Sequence, residues 1–201
     1  STRMGIGHII RCRTLGNALV ANGAEVTFVS RRHEGHDIDL LKADGFTVHE
    51  LPTPETIPTS DTDYAGWLGV SVLEDAADTL KALPRAVDWV VVDHYGLDAA
   101  WESVLRRYAG QIFVIDDLAN RPHDCDLLLD QNYAGDGAGR YKGLVPNDCT
   151  QLLGPAFAML HPAFREHRLA AASHRKDHQA IERIFVFFGG SDPDNLTGRA
   201  L

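Results

Sequence analysis

The sequence predicts an α/β protein built on a parallel sheet. Three observations carry that expectation. Short strand-like runs alternate with segments of helical spacing. Several of those runs are apolar without interruption, as in strands buried on both faces. Polar residues cluster directly after them, at the edge where open α/β sheets bind ligands.

The elements follow in order. After Gly5-Ile6-Gly7-His8, the residues Ile9, Cys12, Leu15, Ala18 and Leu19 share one helix face, and Asn22-Gly23 ends that helix with glycine past its C-terminus. Val26 to Val29 reads as a short strand ending at Ser30-Arg31-Arg32. Residues 37–44 read as a helix and 46–51 as a strand. Three prolines with Thr and Ser make 52–63 a loop. Leu73, Ala76, Ala77, Leu80 and Leu83 recur at helical spacing, which leaves Asp75, Asp78 and Lys81 as a solvated face. Trp89 to Val92, Ile112 to Ile115 and Leu127 to Leu129 are buried-strand runs. Between the first two, Trp101, Val104, Leu105 and Tyr108 mark an amphipathic helix. Asp93-His94-Tyr95, Asp116-Asp117 and Asp130-Gln131-Asn132 follow the three strands.

The domain reading is an N-terminal Rossmann-like unit over 1–160 without its first strand, a connection over 161–180, and the start of a second α/β unit over 181–201. Ile184 to Phe188 reads as that unit's first strand, with a helix opening near Asn195. Both ends read as cut, so the segment is expected to be a fragment, or the ordered part, of a longer chain.

Charge and composition exclude several classes. Lys and Arg number 19 against 28 Asp and Glu, a net charge of −9 with no long basic run, which argues against nucleic-acid and anionic-membrane partners. No apolar run approaches the roughly 18 residues that cross a bilayer. The three cysteines, Cys12, Cys125 and Cys149, lie at wide, irregular spacing without a C-x-x-C pair. A structural zinc site and a disulfide framework are therefore not expected, a reducing cytoplasm is, and no signal-peptide pattern opens the chain.

The turn before the first helix carries chemistry. Gly5 and Gly7 permit a tight turn and close approach of a ligand, and the first N–H groups of a helix face an anion readily. The helix dipole disfavours the charged form of His8, so a neutral imidazole there is a candidate proton acceptor. The alternative is a capping turn with a surface histidine. A P-loop is absent, and the dinucleotide fingerprint fails because its third glycine position is Ile10, although Arg31 and Arg32 would suit a 2′-phosphate. Gly189-Gly190-Ser191 repeats a glycine turn after a strand-like run and suits a diphosphate. The carboxylates at the strand ends read either as metal ligands or as helix caps and hydrogen-bond acceptors. The remaining histidines, among them His33, His36 and His49, are scattered and read as surface.

Five stretches then occur in one order: Gly5 to Cys12 (GIGHIIRC), Val92 to Tyr95 (VDHY), Ile115 to Arg121 (IDDLANR), His123 to Asn132 (HDCDLLLDQN) and Phe188 to Pro193 (FGGSDP). Together they resemble the UDP-sugar hydrolases of pseudaminic acid biosynthesis, over nearly the whole chain. The resemblance implies a GT-B-like fold of two Rossmann-like domains with the nucleotide sugar between them. It implies hydrolysis of a UDP-linked 2,4-diacetamido-2,4,6-trideoxyhexose to UDP and free sugar, with inversion and without metal or other cofactor. His8 is the implied base that activates water, and Tyr95 the second implied catalytic residue. Gly5, Gly7 and Arg11 are implied to bind substrate around the first turn, and Asp93, Asp117 and Asn132 along the strand ends. On the second unit, Gly189, Gly190, Ser191 and Asn195 are implied to face the nucleotide. Two other classes share these features: a GT-B glycosyltransferase using a UDP-sugar donor, and a non-catalytic nucleotide-sugar binding module.

Overall fold

Helix α1 spans Gly7–Ala21 and ends as its sequence requires: Asn22 is the C-cap, and Gly23 follows at φ 87°, a conformation that favours glycine. The structure is a computed structural model of the 201-residue chain. It describes residues 6–54, 64–83, 85–133, 135, 139–177, 181, 183–188, 192 and 194–201.

Two parallel sheets follow. The first pairs β1 (Thr27–Arg31) with β2 (Thr47–Leu51), and α2 (Ile38–Ala43) connects them. The second has the order β3-β4-β5-β6, with β3 at Val87–Val92, β4 at Ala109–Ile115, β5 at Leu127–Asp130 and β6 at Thr150–Leu153. Every pairing is parallel, with Val92 opposite Val114, Ile115 opposite Leu129 and Asp130 opposite Leu153. Helix α3 (Val72–Ala82) precedes β3, and α4 (Ala99–Leu105) crosses from β3 to β4. The α/β class and the parallel, Rossmann-like arrangement therefore stand as expected.

Period-2 alternation divides the core of the second sheet. Val92, Ile112, Val114 and Leu128 face one way, packed with Leu68, Ala76, Trp101, Leu105 and Tyr141. Phe113, Ile115 and Leu129 face the other way, packed with Cys12 and Leu15 of α1. Helix α1 also reaches the first sheet: a Cβ on Gly16 would lie 3.1 Å from the Phe46 ring and 3.2 Å from the Phe28 ring. One helix thus spans both sheets, and its N-terminal turn is brought to the carboxyl edge of β3.

Four expectations change. Asp75 is not solvated; it is 5 % exposed, pairs with Arg31 Nε at 2.8 Å and accepts from Trp101 Nε1 at 3.0 Å. Leu73 of the same helix is 63 % exposed, because satisfying the Arg31 charge turned the buried stripe toward Asp75, Ala76 and Thr79. Strand β3 is covered on one face only, leaving Trp89 and Val91 exposed, since no described element packs over the face they share. Residues 184–188 form no strand among the described residues, and Phe185 is exposed. A strand exists through lateral pairing, and those residues have no paired neighbour among the described ones. Finally, β6 was not anticipated: Thr150-Gln151-Leu152-Leu153 is too short and mixed to announce itself. The 161–180 connection is helical over α5 (Pro162–Asp177), and a last short helix, α6, spans Leu196–Ala200.

Candidate active site

The residues that follow β3, β4 and β5 meet the first turn of α1. His8, the second residue of that helix, is 9 % exposed, so it is not a surface histidine. Its Nδ1 lies 2.5 Å from Asp93 Oδ1. Arg11, one turn further on, grips the same carboxylate with both Nε, at 2.6 Å from Oδ2, and Nη2, bonded to Oδ1. Cys12 donates its thiol to Asp93 Oδ2 at 3.2 Å. The i, i+3, i+4 spacing of residues 8, 11 and 12 puts all three on one helix face, and Asp93 is the group they share.

Burial alone would push the Asp93 carboxyl up, but the hydrogen bonds from Arg11 and His8, and the Arg11 charge, outweigh it and hold the acid below its ordinary range. Asp93 is therefore ionised and only accepts, which places the proton of neutral His8 on Nδ1 and leaves Nε2 as the basic nitrogen. Burial opposes the Arg11 charge, yet Asp93, with Tyr95 and Asp117 behind it, keeps that guanidinium above its ordinary value. Cys12 is pushed well above the usual thiol range, first by burial and then by Asp93, so it stays a thiol. His94 is lowered to about 3, mainly by burial and then by the neighbouring His8 and His33; its Nδ1 accepts from Gly96 N at 2.9 Å.

Tyr95 stands edge-on to His8, ring centroids 4.7 Å apart. Burial and a hydrogen bond to Asp117 raise its phenol, which stays protonated. Asp117 in turn lies 3.9 Å from Arg11 Nη1 and accepts from Asn132 Nδ2 at 3.1 Å. Six sequence-selected residues thus form one connected group: His8 to Asp93, Asp93 to Arg11, Arg11 to Asp117, and Asp117 to both Tyr95 and Asn132. The expected substrate-binding role of Asp93 meets a carboxylate whose side chain is 4 % exposed and engaged by α1. Gly7 opens α1, and a Cβ there would meet no described atom within 4 Å. Asn195 caps α6 through Gly198 N at 3.3 Å. Gly5, Gly189, Gly190 and Ser191 lie outside the described residues.

Other site residues were not anticipated. Tyr64 and Trp67 pack at 4.8 Å from each other, and Tyr64 lies 5.3 Å from Tyr95, so an aromatic patch continues from His8. Tyr141, fully buried, brings its hydroxyl to 3.0 Å from Asp116 Oδ2 and 3.1 Å from Asp130 Oδ2. Asp116 also accepts from Ala119 N at 2.8 Å and Arg121 Nη1 at 2.7 Å, which secures the loop carrying Asp117. Tyr141 follows a glycine-rich, aperiodic stretch, and nothing in its sequence neighbourhood points to these acids.

The fold and site together define a class: a Rossmann-like α/β protein with a histidine–carboxylate–guanidinium centre at the carboxyl edge of its sheet. Known proteins narrow it. No protein-family profile matches the chain. It is 26 % identical over 198 residues to the UDP-2,4-diacetamido-2,4,6-trideoxy-beta-L-altropyranose hydrolase of Campylobacter jejuni, covering 98 % of this chain and 60 % of that protein. It is 24 % identical over 204 residues to an uncharacterized protein of Methanocaldococcus jannaschii, covering 100 % of this chain and 37 % of that one. The chain therefore spans three fifths or less of the curated relatives it matches, and the relationship to the hydrolase is distant.

Proposed function

We propose that the protein is part of a GT-B-like UDP-sugar hydrolase in which His8 activates water. The chemistry is release of UDP from a UDP-linked 2,4-diacetamido-2,4,6-trideoxyhexose, in the cytoplasm, on the route to pseudaminic acid. The observation that carries the reading is the 2.5 Å contact of His8 Nδ1 with the ionised Asp93, which makes Nε2 a base of defined tautomer. The likeness to the Campylobacter jejuni hydrolase supports the substrate.

In this mechanism Nε2 takes a proton from water, the water oxygen bonds to the anomeric carbon, and the bond to the UDP oxygen breaks with the electron pair going to UDP. The leaving diphosphate is already a stable anion, so the enzyme has to accept its charge rather than protonate it. The start of α1 is suited to an anion: among the described residues it has no side-chain cap, no acid in its first turn, and no atom within 4 Å of a Cβ placed at Gly7. The glycine turn at 189–191 is proposed to meet the same diphosphate from the second lobe.

The test uses the full-length protein and a panel of UDP-sugars, with NMR of the first-formed anomeric proton. Wild type should release UDP and the inverted free sugar in plain buffer, and His8→Ala should lose about 10²- to 10⁴-fold in kcat. Near-normal turnover in His8→Ala removes the histidine from this role. Release that depends on an added acceptor alcohol replaces hydrolysis with glycosyl transfer.

A further inference from the structure

Asp93 poses a chemical problem for the base it holds. A carboxylate hydrogen-bonded to an imidazole favours the imidazolium, and a histidine kept protonated cannot take a proton from water. Something must let Asp93 orient His8 without charging it.

Arg11 is placed to do so. Its Nε and Nη2 occupy both oxygens of Asp93, the bidentate arrangement that most fully neutralises a carboxylate. The same Nη2 lies 3.2 Å from His8 Nδ1, where it repels a second positive charge on the ring. The guanidinium is inside the protein, its side chain only 12 % exposed, and its remaining nitrogen Nη1 is 3.9 Å from Asp117. Every face of Arg11 that the contacts define is therefore turned to protein groups, the Asp93 and Asp117 carboxylates and the His8 ring, which is not the posture of a residue reserved for a substrate phosphate.

We propose that Arg11 is a positioning residue that sets the charge state of His8: by clamping Asp93 it lets that carboxylate orient the imidazole while keeping the ring unprotonated. The proposal rests on the reading of His8 as the base. Among the described residues, the charged and titratable groups around the ring are Arg11 and Cys12 from α1, Asp93, His94 and Tyr95 from the β3 loop, and Asp117 behind Arg11 from the β4 loop. Cys12 and Tyr95 stay protonated and His94 stays neutral near pH 7. Among these described groups, the balance at His8 is thus between Asp93, with Asp117 behind it, and the cation Arg11.

The experiment follows the ring of His8 directly. Full-length protein carrying ¹³C-labelled histidine is titrated by NMR, with the His8→Gln spectrum assigning the signal. In Arg11→Gln the midpoint should rise by about one pH unit, because Asp93 is left uncompensated beside the ring. In Arg11→Lys, a point charge without the fork, the rise should be smaller, and this variant decides if Arg11→Gln does not fold. The acid limb of kcat/KM should move up with the titration. A midpoint that stays put or falls, with KM for the UDP-sugar raised instead, overturns the proposal and returns Arg11 to substrate binding. If wild type cleaves no UDP-sugar but the midpoint still rises, the charge-setting role stands and the hydrolase reading fails.

Discussion

His8 Nδ1 and Asp93 Oδ1 lie 2.5 Å apart although 85 positions separate them in the chain. One residue opens α1 and the other follows β3, so the contact exists only once the helix is docked on the sheet. The first prediction tests that contact. Asp93→Asn keeps the shape but can present an amide N–H to Nδ1, which stabilises the other tautomer and moves the ring proton to Nε2. The kcat for UDP release from the full-length protein should fall at least about 100-fold with little change in KM. A variant that retains wild-type kcat shows that Asp93 does not orient the base.

Gly96→Ala should damage the same site from behind. A Cβ at Gly96 would lie 2.5 Å from the backbone oxygen of Tyr64, so the 64–68 turn must shift, carrying Tyr64 away from Tyr95. We expect a loss of about 1–3 kcal/mol in urea unfolding together with a raised KM. Unchanged stability and kinetics mean that the turn accommodates the methyl group and takes no part in binding.

Asp75→Ala should destabilise the fold without touching the site chemistry. It leaves the buried guanidinium of Arg31 short of a partner and removes the acceptor for Trp101 Nε1. Arg31 keeps its bond to Asp78 at 3.0 Å, so the cost should fall at or below the low end of about 3–5 kcal/mol for breaking a buried pair. The Trp101 indole would also change environment, so its fluorescence reports the loss alongside the urea midpoint. A midpoint within error of wild type would show that the pair contributes nothing net.

Acid should unfold the protein through its paired carboxylates. The hydrogen bonds from Arg13 and Asn17 hold Asp44 down to about 2, and Arg11 and His8 hold Asp93 below its ordinary value against burial. In the unfolded chain both titrate near an ordinary pKa of about 4. A depressed folded pKa gives stability that is fully present above the unfolded value and is lost as pH falls through the folded one. Buried His94, lowered to about 3, adds an earlier loss, because the unfolded chain takes up its proton below about pH 6.5 while the folded one does not. The urea midpoint should therefore begin to decline below about pH 6.5 and fall further from about pH 4 toward 2. Arg13→Gln should be less stable at pH 7 and decline less steeply. A midpoint indifferent to acid contradicts this account.

Much of the site was legible because it sits on backbone punctuation. Polar residues directly after apolar strands put Asp93, Tyr95, Asp117 and Asn132 on one sheet edge, and the family resemblance joined His8, at the glycine turn, to the same implied site. Their pairings were not legible. The role of Asp93 toward His8 depends on which carboxylate the face of α1 meets, and sequence spacing carries no such distance. Tyr64, Trp67 and Tyr141 were missed for the same reason, since each lies in an aperiodic segment and joins the site only across the fold.

Local periodicity and turn chemistry settled the alternation of parallel strands and helices, the ends of α1, and the edge on which polar groups gather, because these depend on neighbours a few residues apart. Packing settled the rest. Asp75 is buried because Arg31 reaches it from β1, residues 184–188 are not a strand because no described partner pairs with them, and His8 Nδ1 meets Asp93 because α1 docks on the edge of β3. Charge compensation and lateral hydrogen bonding join residues far apart in the chain, so they take effect only when the tertiary structure brings the partners within reach.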